Sequence, residues 1–361
     1  MFFSIIIAFF SLIGLLVLHE FGHFILAKKF GIKVEEFGIG YPPRLIGKKI
    51  GETIYSLNLI PFGAFVRIHG EEGGLEDYQS FVGKPMKQRV LIVLGGVISF
   101  WVIAAILLSV VFSLGVPLPV EDTATQIAQP KVQIAQVVKD SPAEMAGLQP
   151  FDIIRELKSQ DEYLKSDKVE DIVNFVNKHQ GGEVTLTLQR WEEFLEVTLV
   201  PRVSPPLGEG AMGVALVRTA LRSFPWYEAP FRGIAATGEL TWATLQGLAG
   251  MFGHLVKEKE VPAGVSLMGP LGIFDFLRHA FQLGVSYFLY FVALISIFLA
   301  IFNLFPIPAL DGGKLLFLGI EAARKKPVSP KIEQNITAFF FILLIGLMIF
   351  VTVKFDIPRV F

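Results

Sequence analysis

His19-Glu20-Phe21-Gly22-His23 brings two imidazoles and a carboxylate together within five positions. Residues four apart share one face of a helix, so His19 and His23 can hold one Zn²⁺ between them. Glu20, one position on, can reach a water activated by the metal rather than the metal itself. Zinc lowers the pKa of such a water to about 7, and a neighbouring carboxylate takes its proton. This is the chemistry of metal-assisted peptide hydrolysis. The HExxH pattern is short, and alone it is equally a coincidental helix face. Its setting argues for chemistry. Met1 to Leu18 carry no charge, and an ionisable group inside a membrane segment costs roughly 2.5 kcal/mol or more and marks function.

A catalytic zinc takes three protein ligands and keeps one position open. The chain has no cysteine, so the third ligand must be His, Asp or Glu. The stretch NLFPIPALDGG (303–313) offers one. Pro306 and Pro308 cannot continue a helix, and a backbone broken at membrane depth is tolerated where it lines a protein cavity. Asp311 is the only acidic residue between Arg278 and Glu321, and Gly312 and Gly313 let the chain turn beside it. Asp311 is the expected third ligand; it can also cap the helix that follows. Asn303 is expected to donate to a carbonyl of a substrate strand or to the oxyanion. A buried amide that satisfies the broken backbone is the alternative.

Membrane-spanning helices must position these groups. The chain has 361 residues, 52% hydrophobic and 18% charged, with a mean hydropathy of +0.56, too apolar for an ordinary soluble protein. Four apolar runs, roughly 2–27, 90–117, 283–303 and 336–353, can each cross about 30 Å of hydrocarbon. The first lacks a basic start and a small-residue cleavage site, so it reads as a retained span, not a signal peptide. Lys28, Lys29 and Lys33 follow it, Lys84, Lys87 and Arg89 precede the second, and Arg324, Lys325 and Lys326 lie between the third and fourth. The positive-inside rule then places residues 28–89 and 314–333 in the cytoplasm and the N-terminus outside. HExxH and the end of the third span fall at the same depth. The net charge of −1 suggests no nucleic-acid partner.

Residues 34–70 read as short strands and turns. The alternating run at 52–67, interrupted by Pro61 and Gly63, predicts a hairpin or re-entrant loop. Its edge can pair with an extended peptide, or it is a plain cytoplasmic hairpin. A soluble domain is expected outside the membrane over about 131–202, within a 121–205 segment. Its strands read as 132–138, 184–190 and 194–199, and Ser141 caps a short helix. Residues 203–213 read as a linker, and 226–257 as an amphipathic, membrane-surface helix within the 206–282 connection. The outer segments, 1–120 and 283–361, would each hold two spans. His69 beside Glu71 and Glu72 offers a second metal site or a solvated loop. His179, His254 and His279 read as surface or interface residues.

The chain resembles the site-2 proteases, zinc metalloproteases that act inside membranes, and among them the bacterial sigma-E regulator type. The resemblance rests on HEFGH (19–23), FGIGYPPRL (37–45), NLIPFGAFVRIHGE (58–71), a PDZ-like SPAEMAGLQPFDII (141–154), MGPLGI (268–273) and NLFPIPALDGG (303–313), in that order. It implies a polytopic α-helical membrane protein with about four transmembrane helices, a membrane-associated β-hairpin and one inserted extracytoplasmic PDZ-like α/β domain. It implies Zn²⁺ on His19, His23 and Asp311, Glu20 as general base and acid, and Asn303 as a substrate clamp. Gly63, Ala64 and Phe65 of the hairpin and Pro306 and Pro308 would contact substrate. The implied partners are membrane lipid and single-pass transmembrane proteins, anti-sigma-factor-like or signal-peptide remnants, at the bacterial cytoplasmic membrane. Departures are also present. The second span reads GGVISF (95–100), without the Asn usual there. Gly63-Ala64 stands for Gly-Gly, Lys314 for His or Arg, and Phe151-Asp152 for Gly-Asp.

Three other readings are weighed against this one. A surface peptidase would need HExxH outside the apolar run. A metal transporter would need ionisable residues along several spans. A silent adaptor would not need an intact His-Glu-His-Asp set.

Overall fold

The computed structural model describes residues 2–360 apart from 72, 74–76, 126, 161, 191–192, 207 and 259–267. Among the described residues, four helices are long and apolar enough to cross a membrane: Phe3–Lys29, Met86–Leu114, Val285–Asn303 and Pro330–Asp356. The first, α1 (Phe2–Lys29), has 28 residues, about 42 Å at 1.5 Å per residue. Its buried residues Ser4, Ala8, Leu15, His19, His23 and Ala27 recur at helical spacing on one stripe. Both imidazoles therefore lie on the face that packs inward, and Phe3, Phe10, Leu18, Phe21 and Ile25 remain outside.

Two strands follow, β1 (Val34–Ile50) and β2 (Thr53–Ile68). Each is long enough to be used twice. Glu36–Ile39 lies between Ala64–Arg67 on one side and Ile54–Leu57 on the other, and Ile46–Ile50 pairs with Thr53–Leu57. The hairpin turn is at Gly51 (φ +61°), not at Pro61–Gly63, so 52–67 is one arm of the hairpin instead of all of it. Glu36 is buried in this fold. It accepts from Arg44 Nη2 at 2.7 Å and Ser56 Oγ at 2.7 Å, and these donors, with Arg67 nearby, hold its carboxyl below the usual range despite burial.

Helix α2 (Met86–Leu114) returns across the membrane. Beyond it, β3 (Val116–Pro119), β4 (Ala128–Val137), a single helical turn α3 (Pro142–Met145), β5 (Ile153–Lys158), β6 (Tyr163–Leu164), helix α4 (Val169–Lys178), β7 (Val184–Arg190), β8 (Glu193–Leu199) and β9 (Val214–Arg222) build one sheet domain where the PDZ-like domain is expected. The sheet order is β3-β9-β4-β5-β7-β8, with β6 on β5. Its core joins Val132, Ile134, Ile154, Leu157, Leu186 and Leu188 of the sheet to Ile172, Phe175 and Val176 of α4. Ser141 caps α3 by accepting from the Glu144 amide at 3.1 Å. The sheet spans 116–222, wider than the 121–205 segment expected, because β3 and β9 pair with each other across the length of the domain. Phe151 has φ +75°, a region that favours glycine, and its ring meets Phe276 and Phe291 edge-on.

In helix α5 (Ala229–Glu258), Ala236, Leu240 and Leu248 pack onto Ala104 and Leu108 of α2 and Ala293 and Ile297 of the third span. Gly233 permits the crossing, since a Cβ there would overlap Ser109 of α2. Helix α6 (Pro270–Gln282) leads into α7 (Val285–Asn303), the third span. Helices α8 (Asp311–Arg324) and α9 (Pro330–Val351) follow. Helix α9 has no buried residue. It is tied at one end by Lys314 Nζ, which donates to Glu333 Oε1 at 2.8 Å. The π-helical turn Thr352–Asp356 ties the other, where Asp356 accepts from the Gly269 amide at 2.9 Å.

Candidate metal centre

Each functional side chain sits on a helix that a close packing contact fixes. Helices α1 and α2 cross at glycines: a Cβ on Gly22 would overlap the Gly95 carbonyl, and one on Gly96 would overlap His23 and crowd His19. The second half of the site comes from the break after α7. The chain turns through Leu304–Leu310 and re-enters a helix at Asp311. Gly312 and Gly313 lie so close to the Phe305 and Ile307 carbonyls that a Cβ on either would overlap them. The prolines thus bend the chain back over the first turn of α8. Leu310 takes the N-cap position and Asp311 the first helical one, so the Asp311 carboxylate is free to face α1.

Asp311 Oδ2 stands 3.5 Å from His19 Nε2 and 3.4 Å from His23 Nε2. The ligand atoms of the three residues lie within 4.8 Å of one another, the one such group among the described residues. Both histidines are buried, at 7% and 8% exposure. His23 Nδ1 donates to the Ile92 carbonyl at 2.9 Å. That bond places the ring proton on Nδ1 and leaves the Nε2 lone pair pointing at Asp311. Asp311 Oδ2 is buried without a hydrogen-bond partner. A buried carboxylate oxygen without a donor, facing two imidazole nitrogens, is what a cation between them would satisfy. Two nitrogens and one oxygen form the donor set of a three-ligand catalytic zinc site, so the residues fit the ion.

Glu20, His23 and Asp311 line one wall of a cavity of about 550 Å³. Val66 and Ile68 of β2, Pro308 and Lys314 contribute other walls, and Gln334, Thr337 and Phe341 of α9 close it. Among the hairpin residues expected near substrate, Gly63 and Ala64 are buried, and Phe65 stacks on Tyr41 at 6.3 Å. The next two inward positions, Val66 and Ile68, are the ones on the cavity wall. Pro308 lines the cavity and Pro306 is exposed. Asn303 ends α7 and its Nδ2 donates to the Leu299 carbonyl one turn back, at 2.9 Å.

His69 does not join Glu71 in a second metal group. Its Nδ1 meets Glu35 Oε1 at 2.7 Å and its Nε2 meets Asp77 Oδ2 at 2.9 Å, on opposite edges of the ring, so one ion cannot share the three; Glu72 lies outside the described residues. Lys314 donates to the Glu71 backbone carbonyl at 2.9 Å. The glycines at 22, 95 and 96 escape a reading that looks for reactive groups. Their signal was the small-residue pair Gly95-Gly96 inside an apolar span, where close helix crossings favour such residues.

A His-His-Asp group able to hold a metal, set between one membrane-spanning helix and the break that follows another, fits a metalloprotease whose site is built among membrane-spanning helices. The model of peptidase family M50 matches residues 7–347. A protein of Clostridium perfringens named as a candidate zinc metalloprotease is 33% identical, over 97% of each chain. Zinc metalloprotease RasP of Oceanobacillus iheyensis is 28% identical over 99% of each. The regulator of sigma-W protease RasP of Bacillus subtilis is 27% identical over the full length of both. The solved PDZ domain of an SdrC-like protein from Listeria monocytogenes matches 26% of this chain and 92% of that one, at 18% identity and a TM-score of 0.20. The chain belongs to peptidase family M50, the site-2 proteases, as a multi-pass, RasP-like zinc metalloprotease.

Proposed function

We propose that this protease hydrolyses a peptide bond within the transmembrane segment of a single-pass membrane protein. The observation that carries this reading is the position of the metal group. His23 lies six residues before the end of α1 at Lys29, about 9 Å inside along the helix axis, and it opens into a cavity walled by spans and by β2.

His19, His23 and Asp311 would hold Zn²⁺, which supplies Lewis-acid polarisation of the scissile carbonyl and acidification of water. Glu20 takes a proton from the attacking water and returns it to the leaving amide nitrogen. A helical substrate buries its carbonyls in its own hydrogen bonds, so it must unwind before attack. Ala64–Ile68 borders the cavity with one paired side and can receive the unwound strand by edge pairing. The Asn303 amide, at the break, would clamp that strand or the developing oxyanion.

The proposed orientation has the N-terminus and the PDZ-like domain outside, and β1–β2 and residues 314–333 on the cytoplasmic side, in a bacterial cytoplasmic membrane. The PDZ-like domain would then face substrate ectodomains, with the release of an anti-sigma-factor-like regulator or the clearance of signal-peptide remnants as the outcome. The test is purified protein in liposomes with a panel of single-pass substrates, with and without zinc. Cleavage mapped inside the hydrophobic segment, lost on chelation and in Glu20→Gln, supports the reading. Cleavage only of soluble peptides would refute it.

A further inference from the structure

The two zinc-facing imidazoles are oriented by different means. His23 has the Ile92 carbonyl behind it. His19 lacks a hydrogen bond of ordinary geometry there: its Nδ1 is buried with only the Gly96 backbone nearby. Its ring instead lies flat against Phe100, with centroids 4.6 Å apart and planes 15° from parallel. Phe100 is fully buried in a cluster with Ala8, Leu15 and Val97 and with Leu277 and Phe288 of α6 and α7. Its own backbone is held from the third span, since Ser296 Oγ donates to the Phe100 carbonyl at 2.7 Å. A chain of contacts thus runs from α7 through α2 to the imidazole on α1.

We propose that Phe100 is a positioning residue for the metal centre: its ring, stacked on His19, fixes the direction of the Nε2 lone pair where His23 uses a hydrogen bond. An imidazole whose Nδ1 lacks a hydrogen bond of ordinary geometry is held only weakly against rotation about its ring bond, and packing does most to set its plane. A flat aromatic neighbour sets that plane. It also favours the electron-poor ring of a metal-bound imidazole through the negative face of its quadrupole, so the stack is stronger with metal bound than without. This inference rests on the reading of His19, His23 and Asp311 as zinc ligands.

The test uses the full chain in detergent, with zinc affinity measured by chelator competition and geometry by the visible spectrum of the cobalt-substituted protein. Phe100→Leu should weaken zinc binding about three- to tenfold and shift the cobalt bands, and Phe100→Tyr, which keeps the ring, should restore both. If Phe100→Leu does not fold, Phe100→Met is read the same way. Wild-type affinity and spectrum in the aliphatic variant, with only a lowered melting temperature, would mean that Phe100 merely fills the core and would overturn the proposal. His19→Ala in the same titration separates the two readings. If it binds zinc like wild type, the ligand assignment itself fails; if it loses zinc while Phe100→Leu does not, only the role of Phe100 fails.

Discussion

Gly96 on α2 faces His23 on α1 so closely that a β-carbon at Gly96 would overlap the imidazole Nε2. The imidazole atom that would face the metal is thus packed against a bare backbone. Gly96→Ala should therefore abolish stoichiometric zinc binding, because the methyl occupies the space of the ligand nitrogen and crowds His19 as well. Fold stability should fall by an overpacking cost of about 1–3 kcal/mol. Gly14→Ala on α1 is the control: nothing lies within 4 Å of its Cβ, and zinc loading should be unchanged. Metal analysis of the two purified variants checks the pair. Full zinc in Gly96→Ala would show that the helix crossing is looser than described.

Glu20 lines the cavity beside His23 and Asp311 but is not in the three-residue ligand group. Glu20→Gln should keep zinc at wild-type stoichiometry and lower turnover by about 10²- to 10⁴-fold, the usual worth of a positioned general base. Single-turnover cleavage of a liposome-embedded substrate measures this. Substantial turnover by the amide variant would remove Glu20 from proton transfer.

Asp311→Asn replaces the charged oxygen proposed as a ligand with a neutral amide at the same place. Zinc affinity and activity should fall together, and excess zinc should recover part of the activity. Asn303→Ala should leave zinc affinity intact and lower turnover, since Asn303 is a neutral amide whose Nδ2 donates to the Leu299 carbonyl of its own helix. Equilibrium dialysis at low free zinc distinguishes the two. Full occupancy in Asp311→Asn would contradict the ligand assignment.

The reactive half of this site is legible in the sequence because helical spacing is local: His19 and His23 share a face wherever the helix goes. The broken backbone at Pro306 and Pro308 is legible for the same reason. The four spans follow from hydropathy alone, and β7 falls on the residues expected. What the sequence conceals is non-local. That Glu36–Ile39 pairs on both edges depends on two strands each folding back. That β3 and β9 meet across about 100 residues has no short-range sign, and β3 (VPLP) carries two prolines that argue against a strand. The closeness of Gly96 to the imidazoles is a property of a helix crossing, which no single helix displays.

His69 bridges Glu35 and Asp77 outside the membrane spans, and the two carboxylates raise its pKa above the usual 6.5. Because the folded value lies above the unfolded one, the clamp contributes fully below about pH 6.5 and is lost as pH rises through the raised value. The tethered segment includes the Phe81 amide, which donates to the His69 carbonyl at 2.8 Å. Amide exchange, corrected for the intrinsic pH dependence, should show protection at 77–81 declining between neutral and alkaline pH. His69→Ala should remove that pH dependence. A flat profile in the wild type would show that His69 does not hold the segment.

The last prediction concerns orientation. Lys28, Lys29 and Lys33 flank the first span, and Arg324, Lys325 and Lys326 lie between the third and fourth. The same rule excludes the long PDZ-like segment from the count, since large domains translocate regardless of charge. Residues 28–85 and 314–329 should therefore lie on the cytoplasmic side and 116–222 outside. The chain has no cysteine of its own, so single-cysteine labelling is free of background. The sites must be exposed, which excludes Ser80, buried at 0%. Gln160 in the sheet domain and Lys326 after α8 are both exposed. A membrane-impermeant thiol reagent on intact cells should modify Gln160→Cys and spare Lys326→Cys until the cells are opened. With that result His23, about 9 Å from the Lys29 end of α1, lies in the cytoplasmic half of the membrane, and a cut there frees the cytoplasmic part of a substrate. The opposite labelling would invert the protein, move the metal group to the outer half, and leave the PDZ-like domain unable to meet substrate ectodomains.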